Sequence, residues 1–600
     1  MNNPGESIHR SLLLLWVLIA PTIVIGGTLA LFERSAARAG AFTVDTTGDT
    51  HDSVPGDGIC ADANGDCSLR AAIEESNRLA GANAIVLSTG TFILTEGQLW
   101  ISDTLHISGE TPETTIISAQ SNSRAITIDR AGGDGLINVF LENLTVRDAL
   151  VLNDDYGGGI VSNENVSIQN AIIRNNRAAN GAGVMNIGGK MLITDTLIIE
   201  NDAVFGSGGS SGGGVYTGFG LTKIISTTIA NNHADFGGGL SLRFGTMIVQ
   251  SSSITGNTAE EWGGGVRNQS GIFTITLSTI DHNKSENQGN SGGAAILNEW
   301  WEGQMWLIDS RVLENAAPNT NHSQTGGILN SEGRIEIIRT EISRNTGTGL
   351  ENANFGTMIV TDSTIADHVK AAHGGQGIIN SAVLTVTNST ISGNDGSGTV
   401  LLGTMNSNSS AFIGNSTISD NRTTASGGGV YASSHHPVII THSTIAFNMA
   451  DSDQDGIGDG GGIYRNDPSG PVILRNTLVA NNLDAGLESP DCGGLELESD
   501  GYNLIASTVG CIINPAAGDL VDLSISLGPL ADWGGPTFTH ALLPGTQAIE
   551  AGVCTDPFGN LVSADQRGVT RPQGAGCDIG AFEYDGSVLL FFLFLPVVQR

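Results

Sequence analysis

Between Gly157 and Asn482, apolar and polar residues alternate in short bursts that return about a dozen times. Segments such as 221–229 and 438–445 are rich in Ile, Val and Thr and change character at every second residue. That period of two predicts strands with one buried face. A glycine run ending in a branched residue precedes each burst: Gly157-Gly158-Gly159-Ile160, Gly237-Gly238-Gly239-Leu240 and Gly427-Gly428-Gly429-Val430. Each burst closes on a Ser/Thr-rich element with Asn three residues beyond a branched one. The pairs are Ile172/Asn175, Ile229/Asn232, Ile254/Asn257, Ile280/Asn283, Val312/Asn315, Ile342/Asn345, Ile391/Asn394, Ile418/Asn421, Ile445/Asn448 and Leu478/Asn481. His368 replaces Asn in one copy, and the 197–201 copy is ambiguous by one residue.

Successive glycine runs lie about 23–34 residues apart, too close for independent domains and close to one turn of a stacked coil. Leucine-rich and ankyrin repeats share this length but need helical segments that these copies lack. The predicted fold is therefore all-β, a parallel β-helix, and right-handed because parallel crossovers almost always are. The Ile positions are expected to stack inside, each burial contributing roughly 1.5–3 kcal/mol. The Asn positions are expected at a corner, where Asn tolerates a left-handed backbone and its side chain can bond to the coil above, and the glycines at positive-φ corners. A dozen coils at about 4.8 Å each make a rod roughly 55–60 Å long. Extra length falls after the Asn corner, in loops at 207–211, 285–291, 316–325 and 451–459.

Both ends of such a rod need covers. Leu69, Ala72, Ile73, Leu79 and Ala80 recur at helical spacing and predict a short capping helix over 68–80. Residues 487–584 lose the repeat and predict an irregular C-terminal cap. The chain thus divides into 1–41, an export signal or uncleaved anchor; 42–83, an N-terminal cap; 84–486, the coils; 487–586, the C-terminal cap; and 587–600, a hydrophobic tail. The apolar stretch 11–32 followed by Ala37-Arg38-Ala39 and Ala39-Gly40-Ala41 carries the first assignment. The tail is too short to span a bilayer as a helix; it stands as either a surface anchor or a plain hydrophobic terminus.

A formal net charge of −35 argues against nucleic acid and anionic membranes as partners, leaving membrane contact to the two terminal segments. Glycine, at 83 residues without a triplet period, excludes collagen. The six cysteines fall in close pairs, Cys60/Cys67, Cys492/Cys511 and Cys554/Cys577. Three local disulfides pinning the ends of an exported protein are expected.

The segment Cys60 to Cys67-Ser68-Leu69-Arg70-Ala71-Ala72-Ile73 resembles the CSLREA domain of exported bacterial repeat proteins, with Ala71 where that family carries Glu. Residues 527–584 resemble the choice-of-anchor Q domain through Gly534-Gly535-Pro536-Thr537, Leu543-Pro544-Gly545, Asp565-Gln566-Arg567-Gly568, Arg571-Pro572 and Cys577-Asp578-Ile579-Gly580. The resemblance implies a secreted or cell-surface bacterial protein and brings no catalytic residue with it.

The sharpest chemical motif is Asp451-Ser452-Asp453-Gln454-Asp455-Gly456-Ile457-Gly458-Asp459. Carboxylates at alternate positions, with Gly sixth, match a calcium loop formed by Asp451, Asp453, Asp455, the Ile457 carbonyl and Asp459. It resembles thrombospondin type-3 loops and lacks the twelfth-position Glu of an EF-hand; the competing reading is a solvated acidic loop. Trp300, Trp301 and Trp306 cluster in one stretch and are candidate glycan contacts, whereas Tyr156, Phe236 and Trp262 read as a structural corner stack. Asp281-His282, Asp367-His368, Asp195, Asp309 and Asp362 are candidate acid–base groups, but no copy joins paired Asp to Arg or Lys, so no catalytic residue is assigned. Arg567, Arg571, Asp565, Asp578 and Glu583 read as structural ion pairs.

The pattern predicts an exported, surface-displayed, non-catalytic β-helix offering loops for adhesion or glycan binding, with extracellular polysaccharide or cell-envelope components as partners. A secreted polysaccharide lyase or hydrolase on a pectin-lyase-like fold is the alternative, and a structural spacer a third. If Ile254 points inward, Ile254→Ala leaves a cavity costing about 2–5 kcal/mol; an unchanged thermal melt would contradict that orientation.

Overall fold

The computed structural model describes residues 38–586, apart from 131, 133–134, 153–155, 205–208, 287–291, 318–324, 370–374, 397–399, 403–408 and 487. The export or anchor segment up to residue 37 and the tail 587–600 lie outside the described residues, as do parts of the loops at 207–211, 285–291 and 316–325. Each repeat strand pairs in parallel with its counterpart one coil on, which makes the molecule a parallel β-solenoid. Within one coil the chain passes through Leu240–Leu242 of a first sheet, Thr246–Gln250 of a second and Ser253–Thr255 of a third. Among the described residues these sheets hold 15, 17 and 17 strands, and a fourth, of five short strands, includes Thr258–Trp262.

The aliphatic column forms as the repeat predicts. Ile229, Ile254 and Ile280 lie side by side, and all are buried. Two outlying copies are shifted by one residue from the sequence reading. The inward pairs are Ile173/Asn176 and Val479/Asn482, not Ile172/Asn175 and Leu478/Asn481, and the ambiguous copy settles as Ile198/Asn201.

The amide column explains the spacing of three. Asn232 Nδ2 donates to Asn257 Oδ1 at 3.0 Å and to the Ile198 carbonyl at 2.9 Å, and the Asn232 backbone N–H donates to the same Oδ1 at 2.9 Å. Asn232 is thereby satisfied by the coils on either side. The left-handed residue is the one before this Asn, contrary to expectation: Asn231, Glu314, Arg344 and Phe447 all have φ of 54–60°. Three hydrogen bonds hold the turn, so the strained position tolerates many residue types. In the glycine runs only the first residue needs positive φ (60° at Gly237); a Cβ on Gly238 would come within 2.2 Å of the Thr258 carbonyl oxygen. A second amide column, unforeseen, links Asn268, Asn298, Asn330, Asn352 and Asn380 at 2.7–2.8 Å.

At the N-terminal end the helix covers Leu69–Ser76 with Ser68 as its N-cap, shorter than the predicted 68–80. Asn83 Nδ2 takes the carbonyls of Ser76 and Leu79, turning the chain into the strand Ala82–Leu87, and Ala80 is left exposed. Arg70 locks the helix to the first coils by pairing with Asp49 at 2.7 Å and donating to the Gln98 carbonyl.

Parallel pairing continues past residue 486 through Cys492–Gly494, Leu504–Ile505 and Leu520–Val521. The chain then turns back along the outer face of the third sheet. Gln566 bonds Thr390 at 3.0 Å and Thr417 at 2.6 Å, His540 Nε2 meets Ser419 Oγ at 2.7 Å, and the Ala581 N–H donates to Thr444 Oγ1 at 3.0 Å. The C-terminal unit is therefore a side buttress as well as an end cover. Its own core gathers Leu478, Leu504, Ile525, Leu542 and Phe582. Arg567 pairs with Asp565 at 2.8 Å and Arg571 with Glu583 at 3.1 Å, all four buried. All three expected disulfides are present, Cys60–Cys67, Cys492–Cys511 and Cys554–Cys577.

His368 is the weak rung of the amide column. Its Nδ1 accepts from the Asn345 N–H at 3.2 Å, its Nε2 has no partner, and burial lowers its pKa to about 3. Asn at this position would restore the column, so His368→Asn should stabilise the rod by about 1–2 kcal/mol at pH 7. Because the folded pKa lies below the unfolded value of 6.5, the unfolded chain takes up a proton that the native state refuses. Wild-type stability from this group is complete above that value and falls as pH drops from it towards 3, by about 1.4 kcal/mol per unit. Urea midpoints at pH 7 and pH 5 should therefore diverge further between variant and wild type at pH 5.

Candidate functional site

Two exposed regions bring chemistry-bearing residues together. The first is the acidic loop after the strand Met449–Ala450. One carboxylate oxygen from each of Asp451, Asp453 and Asp455 falls within 4.8 Å of the others. Asp451 is buried and its Oδ1 accepts from the Asp455 N–H at 3.1 Å, while Asp455 Oδ1 accepts from the Ile457 N–H at 2.8 Å. These bonds wind the loop so that alternate side chains converge. Asp459 is not in the group: its N–H donates to Ser426 Oγ and its carbonyl accepts from the Gly427 N–H, tying it to the preceding coil. Ile457 is exposed at the loop's tip. The structure thus gathers the carboxylates of three of the four sequence-predicted aspartates, and an all-oxygen anionic set suits a hard cation.

The second region is the corner where the chain leaves the first sheet for the second. A glycine follows the apex of this turn because the coils are in contact there: a Cβ on Gly245 would meet the Gly220 carbonyl oxygen at 2.2 Å. The residue before the glycine is pushed outward. Phe219, Phe244 and Phe355 occupy that apex, and Trp300 and Trp301 lie in the longer turn before Gly303. Phe219 and Phe244 stack at 5.4 Å with planes 19° apart, and Trp300 sits 6.5 Å from Phe244. Phe219, Trp301 and Phe355 are 69%, 77% and 72% exposed, so packing does not account for them.

The predicted tryptophan trio is divided by the fold. Trp300 and Trp301 join this corner, whereas Trp306 projects half-buried from the second sheet, in register between Thr274 and Glu336. The three phenylalanines were missed, although an aromatic directly before a corner glycine, as in Phe219-Gly220, Phe244-Gly245 and Phe355-Gly356, is their sequence signal. Of the aromatics read as structural, Phe236 and Trp262 do pack edge to face at 5.9 Å, with Arg267 over Phe236 at 4.4 Å. Tyr156 stands three coils earlier and is not part of that pair.

Most of the candidate acid–base groups are engaged in contacts between coils or at the corners. Asp309 pairs with Arg339 at 2.6 Å, Asp362 accepts from Asn388 at 3.1 Å, and His282 contacts Asp281 at 3.3 Å and Glu314 at 3.1 Å. His368 lies in the amide column, and Asp195 is exposed at a left-handed corner.

No family model and no curated protein matches the chain. Solved structures similar to it include pectate lyase Pel9A (11% identity over 91% of this chain and 97% of that one, TM-score 0.23). The tailspike protein gp49 from Pseudomonas phage LKA1 is 13% identical over 75% of this chain and 77% of its own, with a TM-score of 0.35. The catalytic unit of a GH87 alpha-1,3-glucanase from Streptomyces thermodiastaticus is 12% identical over 76% and 70%, with a TM-score of 0.25. Likeness this slight carries no argument about chemistry.

If the corner rings serve contact and not packing, Trp301→Ala should shift stability by no more than about 0.5 kcal/mol. Trp262→Ala, which removes an inter-coil ring contact, should cost about 1–2 kcal/mol. Denaturant melts of the two variants separate these roles.

Proposed function

We propose that this chain is an exported, non-catalytic rod displayed at the bacterial surface, and that its aromatic corner binds glycan. The observation that carries the reading is the ridge of rings whose faces remain largely exposed at Phe219, Trp301 and Phe355. Flat aromatic faces suit the C–H-bearing faces of sugar rings. Three disulfides fit an oxidising compartment outside the cytoplasm. The likeness of the two ends to CSLREA and choice-of-anchor Q domains supports surface display.

We further propose calcium at Asp451, Asp453 and Asp455, with the Ile457 carbonyl and Asp459 completing the shell when the loop closes. Bound calcium would relieve the repulsion among adjacent carboxylates and stiffen the loop; it is assigned no chemical step.

An immobilised glycan panel tests the main reading: the purified rod should be retained, without release of reducing or unsaturated ends, and Trp300→Ala/Trp301→Ala should weaken retention. Released product would overturn the non-catalytic assignment. Calorimetry should show calcium uptake that Asp455→Ala abolishes; wild type taking up none would remove the cation.

A further inference from the structure

The corner rings are arranged along the rod axis, and their order constrains the ligand. Successive corners carry Phe219, Phe244, Ser270, Trp300–Trp301, Glu332 and Phe355. Rings therefore recur over five coil steps, about 24 Å at about 4.8 Å per coil. A compact sugar could meet one or two of them; only an extended chain lying parallel to the axis meets all.

The ridge also selects against charge. The protein carries 61 acidic against 26 basic residues, and Glu332 stands on the ridge itself. Arg243 lies 5.2 Å from the Phe244 ring, and Arg334, which opens the second-sheet strand after Glu332, is paired with Glu336 at 2.6 Å. An anionic polymer would meet net repulsion along the whole rod. Beside the rings the second-sheet strands begin with Leu221, Thr246, Ile272, Gln304, Arg334 and Thr357, and the hydroxyls and amide of Thr246, Gln304 and Thr357 can meet sugar hydroxyls at the chain's edge.

Resting on the glycan-binding reading above, we infer that the ridge from Phe219 to Phe355 binds a neutral, unbranched, ribbon-like β-1,4-linked glucan laid along the rod. Such a chain presents its hydrophobic ring faces repeatedly and its hydroxyls at the edges, which matches rings on the corner and polar groups beside it. Its contacts are made one after another along a single chain, so affinity should rise with length until the ligand reaches from Phe219 to Phe355.

Calorimetry of the full exported chain with cellobiose through cellohexaose tests this. Affinity should climb with length, and Phe355→Ala should weaken cellohexaose about two- to tenfold. A hexamer of galacturonate, the anionic counterpart, should bind more weakly than cellohexaose. Equal affinity for cellobiose and cellohexaose, preference for the anionic hexamer, or no effect of Phe355→Ala would overturn the inference. So would sedimentation showing that Phe355→Ala dissolves a dimer and leaves cellohexaose binding untouched. Retention of other glycans without cellohexaose overturns only this inference; retention of none on the full panel overturns the glycan-binding reading as well.

Discussion

The inter-coil hydrogen bond made by buried amides is the constraint on which the rest of the rod depends. A coil by itself leaves its corner N–H and carbonyl groups unpaired inside the protein, and water cannot reach them. Asn232, placed between Ile198 and Asn257, satisfies both neighbours at once. Serine and threonine do the same at the preceding corner: Ser252 Oγ accepts from the Thr227 N–H and donates to the Gln250 carbonyl. Register is thus enforced three times per coil, by the aliphatic column and by two polar ones. A slip of one rung would unpair them all, which makes the stack cooperative from end to end.

The same stacking decides what the outer surface can be. In open coils the third sheet presents charged residues, such as Arg311 paired with Glu341 of the next coil. In the coils under the C-terminal unit those positions become Thr390, Thr417 and Thr444, with Ser392, Ser419 and Ala446 beside them, all small and buried. Small side chains let another layer approach, and their hydroxyls meet Gln566 and His540. Histidine works at this contact only as a neutral ring: burial holds the pKa of His442 down to about 3, and its Nε2 donates to the Val553 carbonyl. At the corner between the first and second sheets the aromatic rings are left exposed.

Legibility of the site followed how local its determinants are. The acidic loop was visible because its carboxylates lie two residues apart in one stretch, yet the engagement of Asp459 with Ser426 depends on the preceding coil and was not. The ridge was only half visible. Trp300 and Trp301 announced themselves as neighbours in the chain, whereas Phe219, Phe244 and Phe355 come together only once Gly220, Gly245 and Gly356 are stacked. The left-handed corner was assigned to Asn because Asn tolerates it. That argument from intrinsic preference lost to tertiary hydrogen bonding, which holds Glu314 or Phe447 in the same conformation.

Periodicity alone determined the parallel solenoid, the inward column and most of the rungs, since each arises from a pattern that one coil carries complete, and the cysteine pairing followed from closeness along the chain. Two further matters were decided only by the tertiary structure: which neighbour of an ambiguous pair points inward, and where the C-terminal unit docks. The physical reason is the same for both. A strand's two faces differ by one residue and a hundred-residue segment has many surfaces to settle on, so the outcome rests on contacts between coils and layers far apart in the chain.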